Sequence, residues 1–181
     1  MANNVSTGAP KITGAVFVAP ADTTLPTDAT TALDAAFVSV GEISEDGVTR
    51  TRSTDSSTIK NWNQDPVLTV QTSYEETFQF TMISSRSVNA LKAAYGDDNV
   101  TGTDAKYTVK HNGAAPAEHA WVIDMVMTDG SPSRIVIPKA KVTEIGDVTY
   151  KKDEAIGFET TITAVLDDAG NTSYDYVGKA A

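Results

Sequence analysis

Ile156-Gly157-Phe158-Glu159-Thr160-Thr161-Ile162-Thr163-Ala164-Val165-Leu166 alternates along its whole length. Ile156, Phe158, Thr160, Ile162, Ala164 and Leu166 share one face, and Gly157, Glu159, Thr161, Thr163 and Val165 share the other. A side-chain period of two is that of a β-strand with one buried and one polar face. Downstream, Asp167-Asp168-Ala169-Gly170-Asn171 turns the chain back into a strand over 172–177. Upstream, Arg134-Ile135-Val136-Ile137 is an apolar run ended by Pro138, and further strands follow at 141–145 and 147–150 before a polar turn at Lys151-Lys152-Asp153. The polar face carries Thr, Glu and Lys but neither His nor Cys. It suits a chain that packs and assembles, and it holds no reacting group.

The 181 residues fit one domain, or one domain with long arms. A hydrophobic content of 40% supplies enough large side chains for one β-sandwich core. Phe17, Phe78, Phe80, Trp121, Ile123, Ile135, Ile137 and Phe158 are among them, each contributing about 1.5–3 kcal/mol when fully buried. A net charge of −10 opposes binding to nucleic acid, which needs cations to neutralise phosphates, and to anionic membranes. The absence of cysteine excludes a disulfide framework and thiolate chemistry. Met1-Ala2-Asn3-Asn4 does not open a basic-then-apolar leader, so no secretory signal is expected. No apolar run approaches the ~20 residues that span a bilayer. The glycosylation patterns at Asn4, Asn99 and Asn171 therefore read as chance matches.

Residues 1–10 are small and polar and read as a loose segment. A first strand follows at 12–19, then a Pro- and Asp-rich loop at 20–28, a short helical turn at 29–36 and a second strand at 37–40. The stretch 44–58 is unusual, because Val48 is its only large apolar residue. Polar connections of more than about 12–15 residues are uncommon in compact domains. Thr49-Arg50-Thr51-Arg52 alternates, so the stretch reads as a hairpin arm with no core to sit on, marginal alone. It would become ordered against a neighbouring subunit, with Asp46, Val48, Arg50 and Arg52 as contact candidates. Ile59 and Trp62, where the chain rejoins the body, are the others. The alternative is a solvated loop.

Two segments, 66–72 and 76–82, form a predicted strand pair with Phe78, Phe80 and Met82 inward. One short flanking helix is expected at 87–95. Ser85 or Ser87 can cap it, and Val88, Leu91 and Tyr95 form its docking stripe. Gly96 would end it in a left-handed conformation. Strands follow at 105–111 and 119–128. Trp121-Val122-Ile123-Asp124-Met125 is apolar on both faces apart from Asp124, as for a central strand covered by a second sheet on one side and the helix on the other.

His111 and His119 are the only histidines, and no further ligands stand at zinc spacing. No metal or cofactor is expected. No Gly-x-Ser-x-Gly elbow is present, and Tyr95-Gly96-Asp97-Asp98 lacks the Lys of a phosphate loop. The acid pairs Glu45-Asp46, Glu75-Glu76, Asp97-Asp98 and Asp167-Asp168 read as turn residues, three of them beside Gly or Asn. Nothing nominates a catalytic residue, and the chain is not expected to be an enzyme.

Several stretches in order resemble the major tail (tail tube) proteins of long-tailed, non-contractile bacteriophages, especially those infecting actinobacteria. They are Leu25-Pro26-Thr27-Asp28-Ala29-Thr30-Thr31-Ala32-Leu33-Asp34-Ala35-Ala36-Phe37, Ser44-Glu45-Asp46-Gly47-Val48 and Ile59-Lys60-Asn61-Trp62. Further along come Ala94-Tyr95-Gly96-Asp97-Asp98-Asn99-Val100-Thr101-Gly102, Trp121-Val122-Ile123-Asp124-Met125, and Arg134-Ile135-Val136-Ile137-Pro138-Lys139-Ala140-Lys141-Val142-Thr143-Glu144. The last is 150–161.

The resemblance implies a mainly β fold: a β-sandwich with one short flanking helix, whose inner sheet joins an intersubunit β-barrel. It implies hexameric rings stacked into a tube, an acidic channel for DNA delivery, and a loop and termini that bridge neighbours. The implied partners are the chain itself and the tape-measure, tail-terminator and tail-tip proteins. DNA would pass without specific binding, and no membrane is involved. The implied location is the virion tail, after synthesis in the host cytoplasm. Arg50 and Arg52 could then pair with carboxylates of the next subunit. The rival readings are a capsid decoration or tail-terminator ring protein, a monomeric carbohydrate- or receptor-binding β-sandwich, and a small hydrolase.

Overall fold

The computed structural model describes residues 5–11 and 14–179. Met1 to Asn4, Ile12, Thr13, Ala180 and Ala181 lie outside the described residues. They belong to the predicted loose N-terminus, the start of the first predicted strand and the C-terminal tail at 178–181.

In chain order the elements are β1 (Gly8–Pro10), β2 (Val16–Pro20), β3 (Val38–Ser39), β4 (Ile43–Lys60), β5 (Pro66–Met82), α1 (Val88–Tyr95), β6 (Val100–Thr103), β7 (Lys106–Val109), β8 (His119–Met127), β9 (Pro132–Ile145), β10 (Phe158–Ala164) and β11 (Tyr174–Val177). Among the described residues nine strands form one antiparallel sheet in the order β3-β2-β8-β9-β10-β5-β4, with β1 added to β8 and β11 to β9. Strands β6 and β7 pair separately.

The sheet folds over on itself. In a flat sheet β8 and β5 would lie about 14 Å apart, three strand spacings. The rings of Trp121 on β8 and Phe80 on β5 instead have centroids 5.7 Å apart. Two layers therefore enclose one core, with Val16, Val18, Trp121 and Ile123 from one layer and Phe78, Phe80, Met82, Phe158 and Ile162 from the other. This is the predicted sandwich. The alternation at 158–164 is as read: Phe158, Thr160, Ile162 and Ala164 are buried. The strand stops before Leu166, which is exposed, and starts after Ile156.

The fold-over occurs within β9. Pro138 does not end this strand, because it sits where no ladder bond is asked of it. The β8–β9 register shifts between His119 and Trp121, opposite this point. On the other edge, β11 pairs with residues 133–136 and β10 with 140–145, leaving Pro138 in the gap. The predicted strand at 147–150 does not form, and 146–157 is irregular.

The helix plugs the same core through Ala90, Leu91 and Ala94, with Val88 and Tyr95 packed at its margin. Its N-terminus is satisfied twice: the Ala90 N–H donates to the Ser87 hydroxyl at 3.5 Å, and the Val88 N–H to the Asp104 carboxylate at 2.7 Å. Gly96 ends it at φ 93°, ψ 148°, which is an extended mirror-image conformation rather than a left-handed helical one. The helix does not cover the second face of β8. Ala120 and Val122 pack instead under Leu25, Leu33 and Phe37 of the 21–37 loop. That loop contains no helical turn at 29–36. Asp28 organises it, accepting the backbone N–H groups of Thr30 and Thr31, both at 2.6 Å.

At the N-terminus, Gly8–Pro10 is not loose. It pairs with Met125–Met127, and the Thr7 N–H donates to the Thr128 hydroxyl at 2.9 Å.

Candidate functional site

The largest departure from the sequence reading is the arm. Residues 66–72 and 76–82 are not a pair but one strand, β5, and its partner is β4. Ile59 and Trp62 do not rejoin the body; they lie at the far end of a hairpin whose turn is 61–65. That turn is tightly built. The Asn61 N–H donates to the Asp65 carbonyl at 2.9 Å, and the Asp65 N–H returns to the Asn61 side chain at 2.9 Å. Every residue from 51 to 75 is exposed. At about 3.3 Å per residue the hairpin projects some 30 Å beyond Glu76. Beyond Thr77 neither of its edges is paired to another strand among the described residues. Trp62 stands at the tip, 99% exposed, near Ile59, Val67 and Leu68, each more than half exposed.

The root of the arm is the opposite: polar and buried. Glu76 is fully buried. Its carboxylate accepts Arg50 Nε at 2.5 Å, the Ser173 hydroxyl at 3.0 Å and the Thr172 hydroxyl. Arg50 also reaches Asp175 with both carboxylate oxygens, at 3.0 and 2.8 Å, and Ser173 Oγ at 2.8 Å. Burial pushes the Glu76 carboxyl up, but the hydrogen bonds from Thr172, Arg50 and Ser173 and the charge of Arg50 outweigh it, leaving the group below its ordinary value. Arg50 is thus engaged within its own chain, by Glu76, Asp175 and Ser173. Glu75-Glu76 is likewise not a turn pair. A charged residue pointing into the core side of a strand, two residues before Phe78, was the available signal for this cluster.

The other interface candidates fall as follows. Arg52 is exposed, with its guanidinium 5.5 Å from the Tyr74 ring centre. Val48 pairs with Phe80 and packs on the core margin. Asp46 is exposed in a bulge, 44–47, that opposes Thr81 alone, and its carboxylate accepts the Ser44 hydroxyl at 3.3 Å.

Strands β9, β10, β5 and β4 form one layer whose outer face is hydroxyl-rich. Thr77 and Gln79 of β5 stand opposite Thr163 and Thr161 of β10 on one side and Thr51 and Thr49 of β4 on the other. Thr143 Oγ1 lies 2.9 Å from Thr163 Oγ1. Glu144, Lys141, Lys139 and Glu159 are the charges of this face on β9 and β10, and Gln79 donates to Glu159 at 2.6 Å.

The layer is open at both sides. Among the described residues nothing pairs with the outer edge of β4, nor with the β8-side edge of β9 over 141–145. Three successive antiparallel pairings make β4 run opposite to β9. A second copy brought alongside by rotation would therefore present its β9 antiparallel to the first copy's β4.

The two histidines stand apart from one another. His111 packs edge-on to Tyr95, with centroids 4.9 Å apart, and His119 Nε2 lies 3.1 Å from Asp97. Among the described residues no group of three or more His, Cys, Asp or Glu is placed to hold a metal. Among the described residues no helix is long and apolar enough to cross a membrane.

The family model for phage tail tube proteins matches residues 1–181. No curated protein matches the chain.

Proposed function

This chain belongs to the phage tail tube protein family, a family of structural components of the virion tail that self-assemble into a tube, and from that premise we propose how this member builds its tube. Rings form by edge pairing. The free edge of β4 in one copy takes the free edge of β9 in the next, and the four-stranded layers join into one antiparallel barrel. The contact is head-to-tail, so it closes only at a fixed number of copies; the proposed number is six. Closure removes edges that would otherwise aggregate.

The observation that carries this reading is the pair of unpaired edges, of opposite direction, bounding a polar face. That face lines the bore. Its threonines present neutral hydroxyls, and both lysines of β9 are engaged by carboxylates, Lys141 by Glu118 and Lys139 by Asp168, each at 3.1 Å. DNA finds no cationic array on which to release counterions, so it is delivered without adhering. The net charge of −10 per copy is screened beyond about 8 Å at physiological salt, so short-range pairing prevails during assembly. The arm, through Ile59, Trp62 and Arg52, bridges to another copy, with Asp46 and Val48 at the ring contact. Tape-measure protein inside the bore and terminator and tip proteins at the ends complete the tail.

Electron microscopy of the purified protein tests the polymer, with hollow tubes of regular axial repeat expected. The ring contact is tested by placing one cysteine on each free edge, Thr51→Cys and Thr143→Cys. Within one chain these positions lie three strands apart, about 14 Å, too far for a disulfide. Oxidation should give a ladder of linked copies ending in a closed species whose size counts the ring. Disulfide-free monomers from intact tubes would overturn the β4–β9 contact.

A further inference from the structure

We propose that the C-terminal segment 172–175 is the latch that aims the arm, with Arg50 as the positioning residue. This rests on the arm being an intersubunit element. Among the described residues the arm has one anchorage to the body beyond the sheet itself. Exposure changes abruptly there: Glu76 is fully buried, whereas 51–75 are all exposed. Tyr74, whose hydroxyl lies 3.4 Å from Thr172 Oγ1, is the outermost residue with a hydrogen-bonding contact to the body. The hydrogen bonds farther out, such as Ser73 to Asp55 at 2.9 Å, stay within the arm.

The latch joins segments far apart in sequence. Arg50 forks between Glu76 on the neighbouring strand and Asp175 and Ser173 on the C-terminal segment, at 2.5–3.0 Å. Thr172 and Ser173 donate to the other oxygen of Glu76. The C-terminal segment is itself fixed, because β11 pairs with β9 from Tyr174 opposite Val136 to Val177 opposite Ser133. The guanidinium plane thus ties an arm that contacts little else to the opposite layer of the sandwich. A two-stranded ribbon is soft alone. With a lever of about 30 Å, a 10° swing at the root moves the tip by about 5 Å, more than a docking contact tolerates. Holding the arm in one direction before assembly removes an ordering cost from the assembly step.

Because the chain has no cysteine, two spin labels can be placed cleanly, at Asn63→Cys on the tip and Glu144→Cys on β9. Asp175→Ala cuts the latch at a side chain that is 55% exposed, so the fold is not at risk. Arg50→Lys keeps the charge beside Glu76 but cannot fork. The double electron–electron resonance distance distribution should be narrow in the parent and roughly twofold broader in both variants, with thermal unfolding of the body retained. In the same variants without spin labels, tube growth should slow by about tenfold. Unchanged widths in both variants would overturn the latch. Broadening with unchanged tube growth would uphold the latch and instead remove the arm from the assembly contact.

Discussion

Asp124 and Arg134 face one another across β8 and β9 as a buried bidentate pair, Nε to Oδ1 at 2.5 Å and Nη2 to Oδ2 at 2.9 Å. The third arginine nitrogen donates to the carbonyls of Asp28 at 3.0 Å and Thr31 at 2.7 Å. This pair explains the one charge in the apolar run 121–127, and it fastens the loop that covers the second face of β8. Lys11 adds a weaker contact to Asp124 at 3.1 Å.

Removing one partner should cost far more than removing both. Arg134→Met leaves a buried carboxylate and frees the 28–31 loop, and it is expected to destabilise by about 3–5 kcal/mol. The double variant Asp124→Leu with Arg134→Met should recover most of that loss. Urea denaturation of the three proteins checks the order, and equal losses in single and double variants would contradict it.

Stability should fall in acid, and Glu76 should be one source. Its folded value lies below the unfolded one, near 4.5. The unfolded state then binds protons first as pH drops, so the contribution is fully present above about pH 4.5 and is lost as pH falls through the folded value. Asp28, Asp129 and Asp167, held low by hydrogen bonds from Thr31 and Thr30, from Ser131, and from Tyr174 and Asn171, act in the same direction. Glu76→Gln should be less stable at neutral pH and show a shallower decline below pH 4.5, read from melting temperature against pH.

Trp62→Ala should leave monomer stability within about 0.5 kcal/mol, since the side chain touches almost nothing in its own chain. Tube formation should drop. The chain has two tryptophans, and Trp121 is buried, so Trp62 dominates any emission change on assembly. A blue shift as tubes grow is expected in the parent and should be absent in Trp62→Ala.

Gly102 has φ 120°, and a Cβ there would meet the Lys106 carbonyl oxygen at 2.2 Å and Tyr107 Cα at 2.8 Å. Gly102→Ala should therefore cost at least about 1–3 kcal/mol by distorting the β6–β7 hairpin. Hydrogen exchange should show the loss confined first to residues 100–109 and to the helix packed on them. Gly47→Ala, where φ is 70° but a Cβ meets nothing, should be milder.

The strands 158–164 and 119–127, the short helix and the polar turn at 167–171 were legible in residue order alone. Each is a local pattern, in which burial contrast recurs every two or every 3.6 residues and Asp or Gly marks the break. The arm was only half legible. From 51 to 75 both faces of the hairpin are exposed, so no contrast between faces marks strand register or length, and β5 reads as two pieces. Nor could residue order assign the partners of Arg50, since Glu76 lies 26 residues away and Asp175 lies 125 away. Whether Pro138 ends a strand or rides a bulge depended on which edges of β9 other strands occupy. Sequence by itself determined a mainly β chain with one under-cored stretch, because both follow from side-chain chemistry and period. Tertiary structure alone decided that this stretch is a rigidly rooted hairpin, because its anchorage is made of contacts that exist only after the sheet has folded over.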